Sequence, residues 1–400
     1  MNKKNIDKEG IFIRRDKSES KVCNNKEIKV SVICITYNQE KYLKKALDSM
    51  LSQITNFSYE IIIHDDLSTD NTRDILREYE NKYSGVIHVI YEKENMYSQG
   101  IDFVASMIKE SAMGKYIALC EGDDFWIDEH KLQLQFDALE NHPQCDMCAC
   151  RGCTTTEDGL YEVSEIRPAE FDSILSVENV ICGGGQYLVT AGLFFKKSMY
   201  DEMLPFEKII PLDYAQQIKG ALRGGIYYID RKMAVYRRYA GGSWTNDVLK
   251  NKEKLKIQWE KEKALLCQLN IDTKGRYSSA IAERMKAYIP FENQLEEHNE
   301  EISKVLFGLC ENIYIWGRGR RGASLEDYCK KKHIKVTGIC DVINTDIGGV
   351  SNAGNLICHT DEVKEKAYVI LASNRYAYMD LCKEGIEAKV LDFEQYMPWG

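Results

Sequence analysis

Tyr116-Ile117-Ala118-Leu119-Cys120-Glu121-Gly122-Asp123-Asp124-Phe125-Trp126 reads as a short buried strand that ends in three carboxylates within four residues, with an aromatic pair behind them. Like charges this close repel and raise one another's pKa, so the cluster stays ionised most readily beside a hard divalent cation. Mn²⁺ or Mg²⁺ held there could bind phosphates and neutralise a departing diphosphate. Standing alone, Glu-Gly-Asp-Asp would suit a solvated acidic turn; the strands around it decide.

Working outward, apolar β-branched runs alternate with helical periodicity. Val30 to Ile35 is a strand bounded by Thr36-Tyr37-Asn38, and Leu43, Ala46, Leu47, Met50 and Leu51 follow at helical spacing. Tyr59 to His64 is a second strand that breaks into Asp65-Asp66, after which Asp70 suits the N-cap of a helix carrying Ile75, Leu76 and Tyr79. Val86 to Tyr91, a helix over 101–110 and Tyr116 to Cys120 complete four strand–helix alternations. That order predicts an α/β fold with a parallel-rich sheet flanked by helices. Ligands of such sheets sit outside the carboxyl ends of the strands. Thr36, Tyr37, Asp65, Asp66, Glu121, Asp123 and Asp124 all fall at those ends, so one crevice can collect them. There Asp66 could accept the imide N–H of a uracil ring and Tyr37 could stack on its face.

Composition narrows the class. Charged residues make up 29% and hydrophobic ones 44%, as in a soluble globular protein, and 400 residues imply two or three domains. A formal charge of −9 without a basic, aromatic-interleaved stripe argues against nucleic acid as a partner. There is no apolar run of about eighteen residues and no charged-then-apolar amino terminus, so neither a transmembrane span nor a signal peptide is expected. Fourteen irregularly spaced cysteines then read as reduced thiols of a cytoplasmic protein. The polar stretch 1–28 is lysine- and arginine-rich; it reads as a tail, with peripheral contact to anionic lipid at the inner face of a membrane as the sharper alternative.

Further on, a helix from His130 to Asn141 precedes Cys145, Cys148, Cys150 and Cys153, whose spacing could bind zinc but suits a strand with Cys148 and Cys150 as small core residues on one face. Gln186 to Phe195, Ile226 to Asp230 and Met233 to Tyr239 read as strands, and Pro211-Leu212-Asp213-Tyr214-Ala215 opens a helix. Asp213 there is either a dipole-stabilised carboxylate or a general base. Arg237 could grip a diphosphate through its guanidinium fork. Residues 246–308 have helical, Lys/Glu-rich spacing and suit a connector. From 309 a second α/β unit begins, in which Gly317, Gly319 and Gly322 follow a strand and Asp341 lies some twenty residues on, a G-x-G-x-x-G arrangement suited to a nucleotide.

The succession Val30 to Asn38, His64-Asp65-Asp66-Leu67-Ser68-Thr69-Asp70-Asn71-Thr72, and Gly114-Lys115-Tyr116-Ile117 leading to Glu121-Gly122-Asp123-Asp124 resembles the family-2 glycosyltransferases of the GT-A fold. The resemblance covers about residues 28 to 245. It implies a GT-A domain over 29–245 and inverting, metal-dependent transfer of a sugar from a nucleotide-diphosphate donor, usually a UDP-sugar, to a glycan, lipid-linked or protein acceptor. By position, Asp66 matches the base-recognising aspartate, Glu121-Gly122-Asp123 the Asp-x-Asp motif that meets donor and metal together with Asp124, and Asp213 the general base. Glu121 departs from the usual Asp, and Tyr239 stands where relatives often carry His. Residues 309–400 look like the Rossmann-like modules appended to sugar-processing proteins. The contrasting reading is a nucleotide-binding oxidoreductase using that module.

Overall fold

A computed structural model describes residues 13–14, 21–22, 27–96, 103–210, 213–238, 240, 248, 251–289, 291–300, 313–317, 320–340, 347–351, 353–359, 368–371 and 389–391. The chain divides into two compact units, Met1–Ile281 and Ala282–Gly400. The division falls inside the stretch expected to be a connector.

The first unit is built on one mixed sheet. β1 (Ile28–Thr36), β2 (Ser58–Asp65), β3 (Ile87–Tyr91) and β4 (Tyr116–Leu119) are its parallel half. Nearly every side chain of β1 and all of β2 are buried, which is why these strands read as continuous apolar runs and not as alternation. Helices α1 (Leu43–Leu51), α2 (Thr72–Lys82) and α3 (Phe103–Glu110) make the crossovers. Leu43, Ala46, Leu47 and Met50 form the buried stripe of α1, while Lys44, Lys45 and Asp48 face water. The first residue before α2 is Asn71; Asp70 sits one place earlier and accepts the Thr72 N–H at 2.9 Å.

The rest of the sheet comes from β5 (Phe125–Trp126), β6 (Met147–Thr155), β7 (Glu162–Ile166), β8 (Ser173–Leu175), β9 (Phe194–Lys196) and β10 (Ile226–Arg237), with α4 (Lys131–Asn141), α5 (Val177–Gly183) and α6 (Asp213–Ala221) around it. The order is β8-β10-β6-β9-β4-β1-β2-β3, with β5 on β10 and β7 on β6. β9 is antiparallel to both β4 and β6, and β10 is parallel to β6. Two reversals cancel, so the carboxyl ends of β1, β2, β4, β6 and β10 open at one edge.

Three expected strands differ. Gln186 to Phe195 is a 3₁₀ turn, Thr190–Gly192, followed by the short β9, because Gly192 N–H bonds back to the Val189 carbonyl at 2.8 Å and the Trp126 indole holds the Ala191 carbonyl at 2.8 Å. The two runs flanking Arg231 are one strand, β10, whose register shifts between Ile229 and Ala234 account for the apparent break. Within β6, alternation separates Cys153, which packs with Phe125 and Val235, from Cys148 and Cys150 in the main core. Cys145, expected apart from those two, precedes the strand and lies in the same core, its Sγ reaching the Gly224 carbonyl.

Helix α7 (Lys252–Asp272), capped by the Asn251 side chain, ends with Asp272 accepting the Phe206 N–H at 3.0 Å. Helix α8 is Ser278–Lys286. Among the described residues no helix is long and apolar enough to cross a membrane. The second unit has α9 (Phe291–Glu297), α10 (Arg320–Lys331) and a four-stranded parallel sheet, β11 (Ile313–Trp316), β12 (Gly338–Cys340), β13 (Tyr368–Leu371) and β14 (Lys389–Leu391), ordered β12-β11-β13-β14. Its core joins Leu295, Ile315, Leu325 and Tyr328. Gly317 turns the chain after β11 at φ 110°, and Gly322 is buried in α10. Gly319 and Asp341 lie outside the described residues, as do most of residues 1–28.

Candidate active site

Thr36, at the tip of β1, is where two loops meet. Its carbonyl accepts the Asp66 N–H at 3.1 Å, and the neighbouring Ile35 carbonyl accepts the Gly122 N–H at 2.9 Å. The loop after β2 and the loop after β4 therefore flank one residue. A methyl group at 122 would collide with Gln39 Oε1 and come within 3.1 Å of the Thr36 Cβ and Oγ1. Gly122 thus permits the close approach. Gly122→Ala is expected to push this loop outward, weakening nucleotide binding several-fold in calorimetry; unchanged binding would show that the close packing is dispensable.

The edges of this crevice are tied down. Asn38, in the left-handed region at φ 51°, accepts the Thr69 N–H at 2.8 Å, and Gln39 N–H meets Thr72 Oγ1 at 2.8 Å. Asp65 points inward, taking the Ser68 N–H and the Arg73 guanidinium. Asp66 is also buried, and its Oδ1 accepts the Met96 N–H at 2.6 Å, which fixes the carboxylate toward the loop after β3. Tyr37 is 44% exposed at the rim.

The acids after β4 are crowded and largely withdrawn from water. Burial, then Asp123 and Asp213, push the Glu121 carboxyl up to about 8. Asp123 is raised by burial, against its own backbone N–H, Arg237 and a hydrogen bond from Gln39. Asp124 is raised well above the carboxylate range by burial, with Asp123 and Glu121 adding to it. Its Oδ1 takes the Arg237 N–H at 2.9 Å, while its buried Oδ2 has no partner. Asp213, at the start of α6, takes the Thr190 hydroxyl at 2.8 Å. Burial outweighs that bond and the Tyr214 N–H, so its carboxyl is raised; Glu262 adds to the rise. Asp213 comes from an element remote in sequence, yet its charge is felt by Glu121. Glu121, Asp123 and Asp124 thus act on one another, and Asp213 acts on Glu121; Asp66 is joined to them through the backbone of Ile35 and Thr36.

Arg237 is placed differently from the expected diphosphate grip. It is 2% exposed, its Nε donates to the Asp123 carbonyl at 2.8 Å and its Nη1 to the Glu157 carbonyl at 2.9 Å. The guanidinium lies 4.9 Å from the Tyr42 ring centroid and 5.2 Å from that of Phe125. Two sides of its fork are occupied by backbone, so it fastens the carboxylate turn to the turn after β6. Gln39, Thr190 and Met96 were missed from sequence. Each is an ordinary polar or apolar residue whose role exists only through a tertiary contact.

A mixed sheet that gathers acids from two strand ends and a helix start at its carboxyl edge defines a GT-A-type α/β domain. The chain belongs to the glycosyl transferase family 2, whose family model matches residues 31–240. An uncharacterized protein of Mycobacterium tuberculosis is 34% identical over 215 residues, 54% of this chain and 60% of that protein. The chain thus spans about 60% of the length of that relative. A putative teichuronic acid biosynthesis glycosyltransferase of Bacillus subtilis is 42% identical over 108 residues, 27% of this chain and 41% of that one. Staphylococcus aureus TarS, solved in complex with UDP-GlcNAc, superposes with a TM-score of 0.48 at 18% identity, covering 76% of this chain and 81% of that one.

Proposed function

We propose that the chain is an inverting glycosyltransferase that moves a sugar from a nucleotide-diphosphate donor, a UDP-sugar, onto an acceptor hydroxyl with the help of Mn²⁺ or Mg²⁺. The observation that carries this reading is the meeting at Thr36 of the Asp66 loop and the Glu121–Asp124 loop, which lets one nucleotide span both. Asp66, oriented by the Met96 N–H, accepts the uracil imide proton, and Tyr37 covers the ring.

Among the described residues no three His, Cys, Asp or Glu side chains group closely enough to hold a metal ion by themselves, so a hard cation here would take one or two carboxylates and complete its shell with diphosphate oxygens and water. Glu121 and Asp124 are raised first by burial and then by neighbouring acids, the Arg237 charge offsets Asp123 and Asp124 only in part, and the Asp124 Oδ2 has no partner, so a cation's charge would be welcome there. Asp123 and Glu121, with Asp124 behind them, are the residues to hold it. When bound, such an ion neutralises charge on a departing diphosphate. Asp124 and Arg237 brace the turn. Asp213 removes the proton from the acceptor hydroxyl as that oxygen attacks the anomeric carbon opposite the leaving diphosphate. The Thr190 hydroxyl aims it, and a raised pKa makes it a stronger base. The second unit we read as a Rossmann-like docking module, and the cysteine usage and charge suit a cytoplasmic enzyme.

Hydrolysis or transfer assayed with a panel of UDP-sugars and Mn²⁺ tests this directly. UDP release is expected with at least one donor; no binding of UDP, with or without metal, would overturn the reading. Asp66→Ala is expected to weaken UDP binding about tenfold or more, as loss of a hydrogen bond to a charged group implies, and to leave pyrophosphate binding unchanged in calorimetry.

A further inference from the structure

Beside the carboxylate turn, on the far side of Arg237, lies an open cavity of about 510 Å³ between the start of α1 and the turn after β6. Three cations line it: Lys41, Lys45 and Arg237. Among the described residues none of the three has a carboxylate within salt-bridge distance. The two acids in the lining are engaged with uncharged donors. Glu157 takes the Tyr42 hydroxyl at 2.6 Å, and Asp158 takes the Leu160 N–H at 2.9 Å together with the Thr156 hydroxyl. Lys45 Nζ stands 3.7 Å over the Phe125 ring, and burial followed by the Arg237 charge holds its pKa below the usual lysine value. Asp158 offsets Lys45 and Arg237 in part, and Asp123 and Asp124 offset Arg237 from its other side, so three cations stay together at a wall that also supports Asp123.

We propose that this cavity is an acceptor subsite that binds a phosphate ester carried by the molecule receiving the sugar. This rests on the glycosyltransferase reading and adds the acceptor class to it. The chemistry selects phosphate over carboxylate. The fork of Arg237, which would hold a planar carboxylate bidentately, is occupied by the Asp123 and Glu157 carbonyls; Lys45 Nζ spends one long contact, 3.5 Å, on the Gly159 carbonyl, so Lys41 and the remaining N–H groups of Lys45 are the point-charge donors left, and these suit a compact multi-oxygen anion.

Calorimetry of the full chain, with and without saturating UDP and Mn²⁺, using glycerol 3-phosphate as probe, decides it. Binding is expected in both conditions, to weaken about tenfold or more in Lys41→Ser/Lys45→Ser, and to return in Lys41→Arg/Lys45→Arg. Glycerol should not bind and glucuronate should bind more weakly. Phosphatidic acid vesicles separate the sources: Lys-dependent cosedimentation tighter than glycerol 3-phosphate binding assigns a lipid-borne phosphate, and its absence a soluble one. Competition between UDP and glycerol 3-phosphate, or parallel loss of UDP affinity in the serine variant, would assign the cavity to the donor and overturn the proposal. So would equal binding by wild type and serine variant. Failure of UDP to bind wild type while glycerol 3-phosphate still does would remove the donor reading alone.

Discussion

Asp213→Asn is expected to lower kcat for sugar transfer by about 10²–10⁴-fold, the range for removal of a general base, while donor KM moves little. The amide keeps the shape and can still meet the Thr190 hydroxyl, so lost basicity is isolated from lost packing. The pH profile should carry the same signature. Because burial raises the Asp213 carboxyl, the base is protonated, and kcat/KM falls, as pH drops through a value above the ordinary carboxylate range. The acid limb should therefore lie higher than for an exposed aspartate and be absent from the residual activity of the Asn variant. Equal activity in the two proteins would remove Asp213 from the chemistry.

Asp123→Asn should abolish the effect of Mn²⁺ on UDP binding and reduce transfer by about 10³-fold, as expected when several kcal/mol of charge stabilisation is lost. Its effect on stability has the opposite sign. Glu121 and Asp124 have folded pKa values raised above their unfolded ones, so they contribute stability that is present below about pH 4 and lost as pH rises through the folded values, near 8 for Glu121. Metal-free wild type should therefore lose melting temperature between about pH 5 and 9. The Asn variant, with one charge removed from the cluster, should lose less and melt higher than metal-free wild type at pH 8. Added Mn²⁺ should reverse that order by binding only the folded wild type. A thermal-shift series in pH with and without Mn²⁺ reads both effects; a wild-type curve flat in pH and indifferent to metal would contradict the account of the cluster.

Much of this site was legible because it sits where secondary structure changes. The β-branched runs before Thr36, Asp66 and Glu121 mark parallel strands, and a parallel sheet delivers its strand ends to one edge whatever the loops contain. Asp213 was legible by its place at a helix start. What escaped depended on contacts distant in sequence. Thr190 lay in an apolar run that period alone cannot separate from a strand, yet the turn it begins is what presents its hydroxyl to Asp213. Gln39 reaches Asp123 across the tip of β1. Arg237 was singled out for its charge, but the aromatic faces of Tyr42 and Phe125 and two backbone carbonyls decide where that charge goes. The β10 register shifts, likewise, are set by pairing with β6 and leave only an interrupted pattern in the sequence.

The most direct measurement is a crystal structure of the chain with UDP and Mn²⁺ bound. A single UDP whose uracil meets Asp66 while its diphosphate, through the metal, meets Asp123 is the predicted result. Uracil and diphosphate found in a pocket that leaves either aspartate untouched would contradict it.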